Sequence, residues 1–255
     1  MDDHASAVPV SLAKTRVLVT GGTSGLGLAL VDELHARGAD VAFVARTSGC
    51  VEKTRRRHPG TLAITGDIAD KDAIHPIALQ VLGWRGGLDV LVNNASSLGP
   101  VPLAPLADTD CEDFAQALAT NVLGPFRLTK ALLGSLAASA RERRRAVALV
   151  VNISSDAAVT PYAGWGAYGA SKAALRHMTR IWEEELGHLG VRFLSLDPGD
   201  MDTPLHALAV PDADPRDLLA PVVAAQVIVD AVLAALPTRP AVTNPGSATY
   251  AEALR

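Results

Sequence analysis

A tyrosine and a lysine four residues apart, Tyr168 and Lys172, could together move a proton. If this segment is helical, both side chains point from one face of the helix. A free tyrosine titrates near pH ~10, too high for efficient proton exchange at neutral pH, but a cation within ~4–6 Å favours the phenolate. We therefore predict that Lys172 lowers the pKa of Tyr168, although such a pair also occurs by chance on helix surfaces.

The elements that must position this pair alternate between strand and helix. Most strand-like runs are continuously apolar, as expected when helices cover both faces of a sheet. Strands separated by helix-length segments form a parallel sheet with right-handed crossovers. We predict one doubly wound α/β domain over residues 15–255, after a flexible leader at 1–14. The predicted strands are Arg16–Thr20, Val41–Ala45, Leu62–Thr65, Val90–Asn93, Ala146–Ile153 and Arg192–Asp197.

The first strand opens directly into a glycine-rich loop, Gly21-Gly-Thr-Ser-Gly25-Leu-Gly27, and a helical pattern follows. Glycines permit a tight turn and let backbone N–H groups approach a pyrophosphate, which the helix N-terminus stabilises. This context predicts a dinucleotide-binding domain of the Rossmann type, with a mostly parallel sheet. A purely structural glycine turn is the alternative. The loop residues expected to contact the cofactor are Gly21, Thr23, Ser24, Gly25 and Leu26.

The spacing of this loop resembles that of the short-chain dehydrogenases/reductases rather than the G-x-G-x-x-G loop of other dinucleotide enzymes. Asn93-Asn94-Ala95 is similar to the family's Asn-Asn-Ala-Gly motif, with Ser96 in place of the glycine. The resemblance implies an enzyme that moves a hydride between a nicotinamide and a carbonyl or alcohol. It spans roughly residues 14 to 205 and continues through Asn121, Ser155, Tyr168, Lys172 and Pro198-Gly199.

The same resemblance implies roles for individual side chains. Ser155 would hold the substrate oxygen while Tyr168 gives it a proton, and Ser154 would be structural. Asn121 would hold a water that links Lys172 to solvent; the alternative is a polar residue inside a helix that bonds the backbone. Lys172 would also bond the nicotinamide ribose. Further cofactor contacts are expected from Asp67, Ile68, Asn93, Ala95, Pro198, Gly199 and Thr203.

The second strand favours NADP(H) over NAD(H). A site for NAD usually ends this strand in Asp or Glu, which takes the ribose hydroxyls. Here Asp40 stands at the start of the strand, and the carboxyl end offers Ala45 and then Arg46. A guanidinium there can bind the 2′-phosphate bidentately, and Ser24 could add a hydrogen bond. The alternative is that Arg46 is a solvated surface residue.

The substrate is less constrained by the sequence. Pro161–Tyr168, with Val151–Ser155 and Asn94–Gly99, is similar to the sepiapterin and benzil reductase branch of the family. This implies a ketone or dicarbonyl substrate, with Trp165 either a stacking wall for a flat ring or a core aromatic. The stretch from 239 to 246 lacks that branch's acidic substrate anchor. A reductase of another carbonyl class (3-oxoacyl or steroid-like) is the alternative; a non-catalytic NADP(H)-binding regulator would usually have lost Ser, Tyr or Lys.

Composition limits the other partners. The net charge of −4 gives no indication of a nucleic-acid partner. Cys50 and Cys111 form no paired spacing, so a disulfide framework or metal site is not expected and a reducing cytoplasm fits. Leu218–Leu236 is apolar but interrupted by polar residues, which predicts a buried helix begun by Pro221 rather than a membrane span. We expect a cytoplasmic homodimer or homotetramer.

One further segment, Met201–Leu219, combines prolines and aspartates with scattered leucines. It is too polar and too often broken by proline for a core helix, yet its leucines could cover a ligand. We predict a mobile substrate lid that becomes ordered when cofactor and substrate bind.

Overall fold

The computed structural model describes residues 11–142 and 147–236. Its single sheet has six strands in the order β3-β2-β1-β4-β5-β6, and every neighbouring pair is parallel. The order reverses between β1 and β4, which is where ligands bind in sheets of this type. The strands are β1 Arg16–Thr20, β2 Asp40–Ala45, β3 Leu62–Thr65, β4 Val90–Asn93, β5 Ala148–Ile153 and β6 Val191–Leu196. The predicted doubly wound parallel sheet is confirmed.

Helices connect successive strands, and the last two helices follow β6. They are α1 Gly25–Ala36, α2 Ser48–Arg57, α3 Lys71–Gly83, α4 Cys111–Leu118, α5 Gly124–Glu142, α6 Gly166–Leu186, α7 Pro204–Ala209 and α8 Pro221–Ala235. A π-helical turn, Ala119–Leu123, joins α4 to α5.

Two apolar cores lie on opposite faces of the sheet. Because side chains alternate along a strand, Val17 and Val19 of β1 face one core while Leu18 faces the other. Helices α1 and α8 complete the first core, and α3 and α5 complete the second. Burial on both faces explains why the strand sequences are continuously apolar.

Part of the segment predicted as a flexible leader packs against the domain. Residues 1–10 lie outside the described part of the chain, but Leu12 is fully buried in the first core. Its backbone N–H donates to the Arg37 carbonyl at 3.1 Å, and its carbonyl accepts from Thr15 at 2.8 Å. Residues 11–14 are therefore part of the domain, because their packing compensates the entropy lost on ordering them.

The apolar segment near the C-terminus forms α8, which begins at Pro221 as predicted. Ala225, Ile228 and Val229 are buried against the first core, whereas Val222 and Val227 are exposed. Within residues 11–142 and 147–236, no helix is both long enough and apolar enough to cross a membrane.

Candidate active site

A cavity of about 690 Å³ opens at the carboxyl ends of the strands. The loops after β1, β2, β3, β4, β5 and β6 all reach it, so residues distant in sequence share one wall. Fourteen of the residues predicted for the site line this cavity: Gly21, Thr23, Ser24, Gly25, Leu26, Arg46, Asp67, Ile68, Ala95, Ser155, Tyr168, Pro198, Gly199 and Thr203. The side chains of Asn93, Asn121 and Lys172 lie behind it.

The glycine loop has the form that a pyrophosphate requires. Gly21 and Gly25 have φ values of 71° and 49°, a region that side chains disfavour. A Cβ on Gly27 would lie 2.1 Å from the Gly21 carbonyl oxygen. Helix α1 begins at Gly25, and Ser24 before it makes no side-chain cap. The first N–H groups of α1 therefore keep their capacity to bind an anion, and the loop fits a dinucleotide.

Thr20 joins this loop to the loop after β4. Its Oγ1 accepts from the backbone N–H groups of Asn94 and Ala95, at 2.9 and 3.0 Å. The Asn94 side chain in turn donates to the Thr20 carbonyl at 2.8 Å. These bonds hold the first and fourth strand ends together where the sheet order reverses.

Asn93, predicted to contact the cofactor, directs its side chain away from the cavity. Asn93 is the last residue of β4; it is 2% exposed and donates to Asn152 Oδ1 at 2.8 Å. Asn152 donates onward to Thr179 of α6 at 2.9 Å. The side chain lining the cavity is that of Asn94, because consecutive residues at the end of a strand point in different directions.

Ser155 and Tyr168 meet at the middle of the cavity. Ser155 follows β5, and Tyr168 lies in the first turn of α6, where it is 8% exposed. Burial raises the pKa of Tyr168 to about 12, and the nearby hydroxyl groups of Ser155 and Ser96 oppose this shift. The predicted lowering of this pKa by Lys172 is therefore wrong for the polypeptide itself, because desolvation of the phenolate dominates.

Lys172 lies behind the tyrosine ring rather than in the cavity. It is 2% exposed, and its Nζ donates to the Ile153 carbonyl at 2.8 Å. Burial lowers the pKa of Lys172 to about 8, while Asp197 raises it. In this geometry the amine is directed to the backbone of β5 and not into the cavity, where the predicted bond to the nicotinamide ribose would form.

Asn121 clamps the loop after β4 to α6. Its Oδ1 accepts from the Ser97 N–H at 2.8 Å and from Ser96 Oγ at 3.2 Å. Its Nδ2 donates to the Ser97 carbonyl and to Ser171 Oγ, both at 2.8 Å. An asparagine side chain has two donor hydrogens and two acceptor sites. All four are used, so the side chain has no capacity left for the predicted water.

The adenosine end of the cavity presents one exposed cation. Arg46 directly follows β2, and no residue in the described ranges forms an ion pair with it. Asp40 lies at the opposite end of β2, where its Oδ1 is 3.3 Å from Arg85 Nε. On the neighbouring strand end, Asp67 Oδ1 accepts from the Ala69 N–H at 2.9 Å. The carboxyl end of β2 therefore lacks the carboxylate that is typical of NAD sites.

Trp165 combines the two roles considered for it. It lines the cavity, and its ring packs edge-on against Tyr168 with centroids 5.7 Å apart. Leu98 and Leu205 belong to the same small apolar cluster. The cavity therefore has an aromatic wall beside Tyr168.

The segment predicted as a lid forms one closed loop. Its ends are joined by two backbone bonds, from the Asp202 N–H to the Leu219 carbonyl at 3.0 Å and from the Leu219 N–H to the Asp200 carbonyl at 2.9 Å. Between them, α7 places Leu205 and Leu208 against the cavity. Leu208 is nevertheless 51% exposed, so the segment covers the site only loosely.

Sequence reasoning gave no site role to several polar residues that line the cavity, among them Asn94, Ser96, Asp156 and Tyr162. A direct signal existed for Asp156, an acid immediately after the predicted catalytic serine. Among the described residues, no group of three or more His, Cys, Asp or Glu side chains is placed to hold a metal ion.

Comparison with known proteins agrees with this geometry. The family model described as short chain dehydrogenase matches residues 15–214. The chain is 31% identical to 2-(R)-hydroxypropyl-CoM dehydrogenase of Xanthobacter autotrophicus, over 78% of this chain and 80% of that protein. It is also 31% identical to L-xylulose reductase of Bos taurus, over 79% and 78%.

Among solved structures, 3-ketoacyl-(acyl-carrier-protein) reductase from Brucella melitensis, complexed with NADH, superimposes with a TM-score of 0.80. The identity is 25%, and the match covers 90% of this chain and 93% of that one. The chain therefore belongs to the short-chain dehydrogenase/reductase family and is an oxidoreductase with a nicotinamide cofactor that acts on alcohol or carbonyl groups.

Proposed function

We propose that this protein uses NADPH to reduce the carbonyl group of a ketone or dicarbonyl compound. The observation that carries the proposal is that Ser155 and Tyr168 line the same cavity as the glycine loop and Arg46. A carbonyl carbon held between Ser155 and the cofactor site lies where a hydride and a proton can both reach it. The cofactor supplies the hydride when it is bound.

Tyr168 is placed to act as the acid in a carbonyl reduction. With its pKa raised to about 12, the phenol keeps its proton at neutral pH. A carbonyl oxygen that gains negative charge needs such an acid within hydrogen-bonding distance. Ser155 positions the oxygen by a hydrogen bond, and Tyr168 donates the proton to it.

Lys172 and Asn121 lie outside the cavity and assist Ser155 and Tyr168 indirectly. The Lys172 ammonium lies over the phenol ring and favours the phenolate that forms after the proton is given away. Asn121 fixes Ser96 and Ser97, and the hydroxyl of Ser96 is a neighbour of the phenol. We propose that any water carrying the replacement proton binds the main chain of the π-helical turn, because the Asn121 side chain is fully engaged.

The preference for NADPH rests on Arg46. Its guanidinium is exposed at the end of β2, with no acid at the same strand end to repel a phosphate. Charge-assisted bonds from arginine to phosphate are bidentate and strong. We propose that Arg46 binds the 2′-phosphate, with Ser24 and Thr47 beside it.

The substrate class is supported by the aromatic wall. Trp165 beside Tyr168 suits a flat conjugated ketone or vicinal dicarbonyl, as in the sepiapterin and benzil reductase branch. A 3-oxoacyl or steroid-like carbonyl is the second candidate, and one structural relative bears the name of a 3-ketoacyl reductase. A non-catalytic regulator is disfavoured, because Ser155, Tyr168 and Lys172 are all present and packed together.

We further propose a cytoplasmic homodimer or homotetramer. Both cysteines are free thiols, which fits a reducing compartment. Leu123, Phe126 and Ile181 are exposed apolar side chains on neighbouring elements, which supports contact with a second copy.

A panel of carbonyl compounds tests the function. NADPH oxidation is followed by absorbance with benzil, a steroid ketone and a 3-oxoacyl thioester. We expect the highest kcat/KM with benzil. A higher kcat/KM with the thioester or the steroid would favour the second candidate, and no oxidation with any carbonyl would overturn the proposal.

A further inference from the structure

We propose that Asp156 selects substrates by charge, favouring a carbonyl compound that carries a cationic or N–H-donating group next to its carbonyl and disfavouring one that carries a carboxylate or phosphate there. This inference rests on the proposed function, since it concerns the same cavity. It assigns a specificity-determining role to a residue outside the Ser155, Tyr168 and Lys172 set.

The Asp156 carboxylate is held in place by neutral donors. Its Oδ1 accepts from Ser155 Oγ at 3.0 Å and from the Ala157 N–H at 2.7 Å. Its Oδ2 accepts from the Tyr162 hydroxyl at 2.7 Å. A carboxylate has about four acceptor sites, so roughly one remains open on Oδ2. Asp156 is exposed and lines the cavity, which makes this site available to a ligand.

The charge of Asp156 is not balanced by a cation. Hydrogen bonding from Tyr162 is the largest influence and lowers the pKa of Asp156, so the carboxylate is ionised at neutral pH. No Lys, Arg or His side chain forms an ion pair with Asp156 within residues 11–142 and 147–236. The three donors bring no charge of their own.

The other acids at this end of the cavity have cationic neighbours. Asp197 acts electrostatically on the buried Lys172. Asp200 Oδ1 lies 3.9 Å from His206 Nε2, which neutralises it whenever His206 is protonated. Arg46 lies after β2, at the adenosine end of the cavity. Among the described residues, Asp156 is therefore an acid with no basic partner, and it is bonded directly to Ser155.

Position makes this charge selective. Ser155 Oγ is the group proposed to hold the carbonyl oxygen, and its single hydroxyl hydrogen is directed at Asp156 Oδ1. When a carbonyl compound binds, this hydrogen turns to the carbonyl oxygen, and Asp156 Oδ1 then has an acceptor site free beside the substrate. A substituent one or two bonds from the carbonyl carbon therefore comes close to the carboxylate. A charge-assisted hydrogen bond strengthens binding by ~10-fold or more. This factor is the lower end of the range for such bonds, and we use it because Asp156 is exposed to solvent.

Three phenyl ketones test the inference: phenacylammonium, phenacyl alcohol and benzoylformate, which place an N–H-donating cation, a neutral group and an anion beside the carbonyl. The kcat/KM of each is measured at saturating NADPH for the wild type, Asp156→Asn and Asp202→Asn. Asp202 is an exposed acid nearby that does not line the cavity, so it controls for net charge. Asn retains an acceptor for Ser155 and removes the charge, while an N–H donor takes the place of the oxygen that accepts from Tyr162.

We expect the wild type to prefer the cation over the anion, and Asp156→Asn to reduce the ratio of their kcat/KM values by about tenfold or more. Asp202→Asn should leave the ratio unchanged, and Asp156→Glu should retain the preference. A ratio that changes less than about threefold in Asp156→Asn, or equally in Asp202→Asn, would overturn the inference.

The dissociation constants of the three ketones for the NADPH complex, measured by ligand-observed NMR, separate this inference from the proposed function. A charge order that depends on Asp156 in a protein that reduces none of the ketones would support the inference and contradict the function. Reduction of the ketones with no dependence of the charge order on Asp156 would support the proposed function and contradict the inference.

Discussion

The ammonium group of Lys172 lies over the ring of Tyr168, with Nζ 5.4 Å from the ring centroid. The same Nζ donates to the Ile153 carbonyl, so the amine is fixed behind the phenol and away from the cavity. Lys172 can therefore act on Tyr168 through its charge alone. Burial opposes that action and raises the pKa of Tyr168 to about 12.

Tyr168→Phe removes the hydroxyl and keeps the ring that packs against Trp165. We expect kcat for carbonyl reduction to fall by at least ~10²-fold, because general acid catalysis contributes about that much. Folding and NADPH binding should survive, as judged by circular dichroism and by the fluorescence of bound NADPH. More than about a tenth of the wild-type kcat would contradict the role given to this residue.

Arg46→Ala should weaken NADPH binding by roughly 10- to 150-fold, the value of one charge-assisted hydrogen bond of ~1.5–3 kcal/mol. NADH binding should change little, because NADH lacks the 2′-phosphate. Arg46→Lys is the matched control, since it keeps the charge but loses the bidentate geometry, and its affinity should be intermediate. Equal losses for both cofactors would show that Arg46 does not read the phosphate.

The burial of Lys172 predicts a pH dependence of stability. Its pKa is about 8 in the folded protein against an ordinary value of 10.5. Between these values the unfolded chain binds the extra proton, so the free energy of unfolding rises with pH across this window. Relative to Lys172→Met, which cannot titrate, the wild type should gain on the order of 3 kcal/mol from pH ~8 to ~10.5.

Urea unfolding of both proteins across this pH range measures the difference. Titration of all groups common to the two proteins cancels in the comparison. A difference in unfolding free energy that stays constant with pH would mean that Lys172 is not desolvated as the structure indicates.

The lid proposed for Met201–Leu219 should respond to ligands between its fixed ends. The amides of Asp202 and Leu219 are already hydrogen-bonded, so hydrogen exchange should be slow there with or without ligands. Amides of α7 should gain protection only when NADPH and a carbonyl analogue are both present. Equal exchange of α7 in all states would argue that the segment is a static wall.

Much of the fold follows from local patterns in the sequence. Continuous apolar runs predicted all six strands to within two residues at each end, because strands buried on both faces cannot alternate in polarity. The glycine loop was recognisable because close approach of backbone to a phosphate excludes side chains. Pro221 marked the start of α8, since proline fits the first turn of a helix.

What the sequence did not provide depends on tertiary packing. The spacing of Tyr168 and Lys172 predicted a shared helix face, but the direction of the amine is set by the Ile153 carbonyl of β5. The raised pKa of Tyr168 is a consequence of burial, which no local pattern contains. Asn93 and Asn94 are adjacent, and only the end of β4 decides which of them faces the cavity.

The central claim is that this cavity delivers a hydride from NADPH to a carbonyl carbon while Tyr168 protonates the oxygen. Mass spectrometry of the benzil reduction product formed with NADPH deuterated at the transferable position of the nicotinamide tests it most directly. We predict a single deuterium on the carbinol carbon, formed by the wild type and nearly abolished in Tyr168→Phe. A product without deuterium, or equal deuteration by Tyr168→Phe, would contradict it.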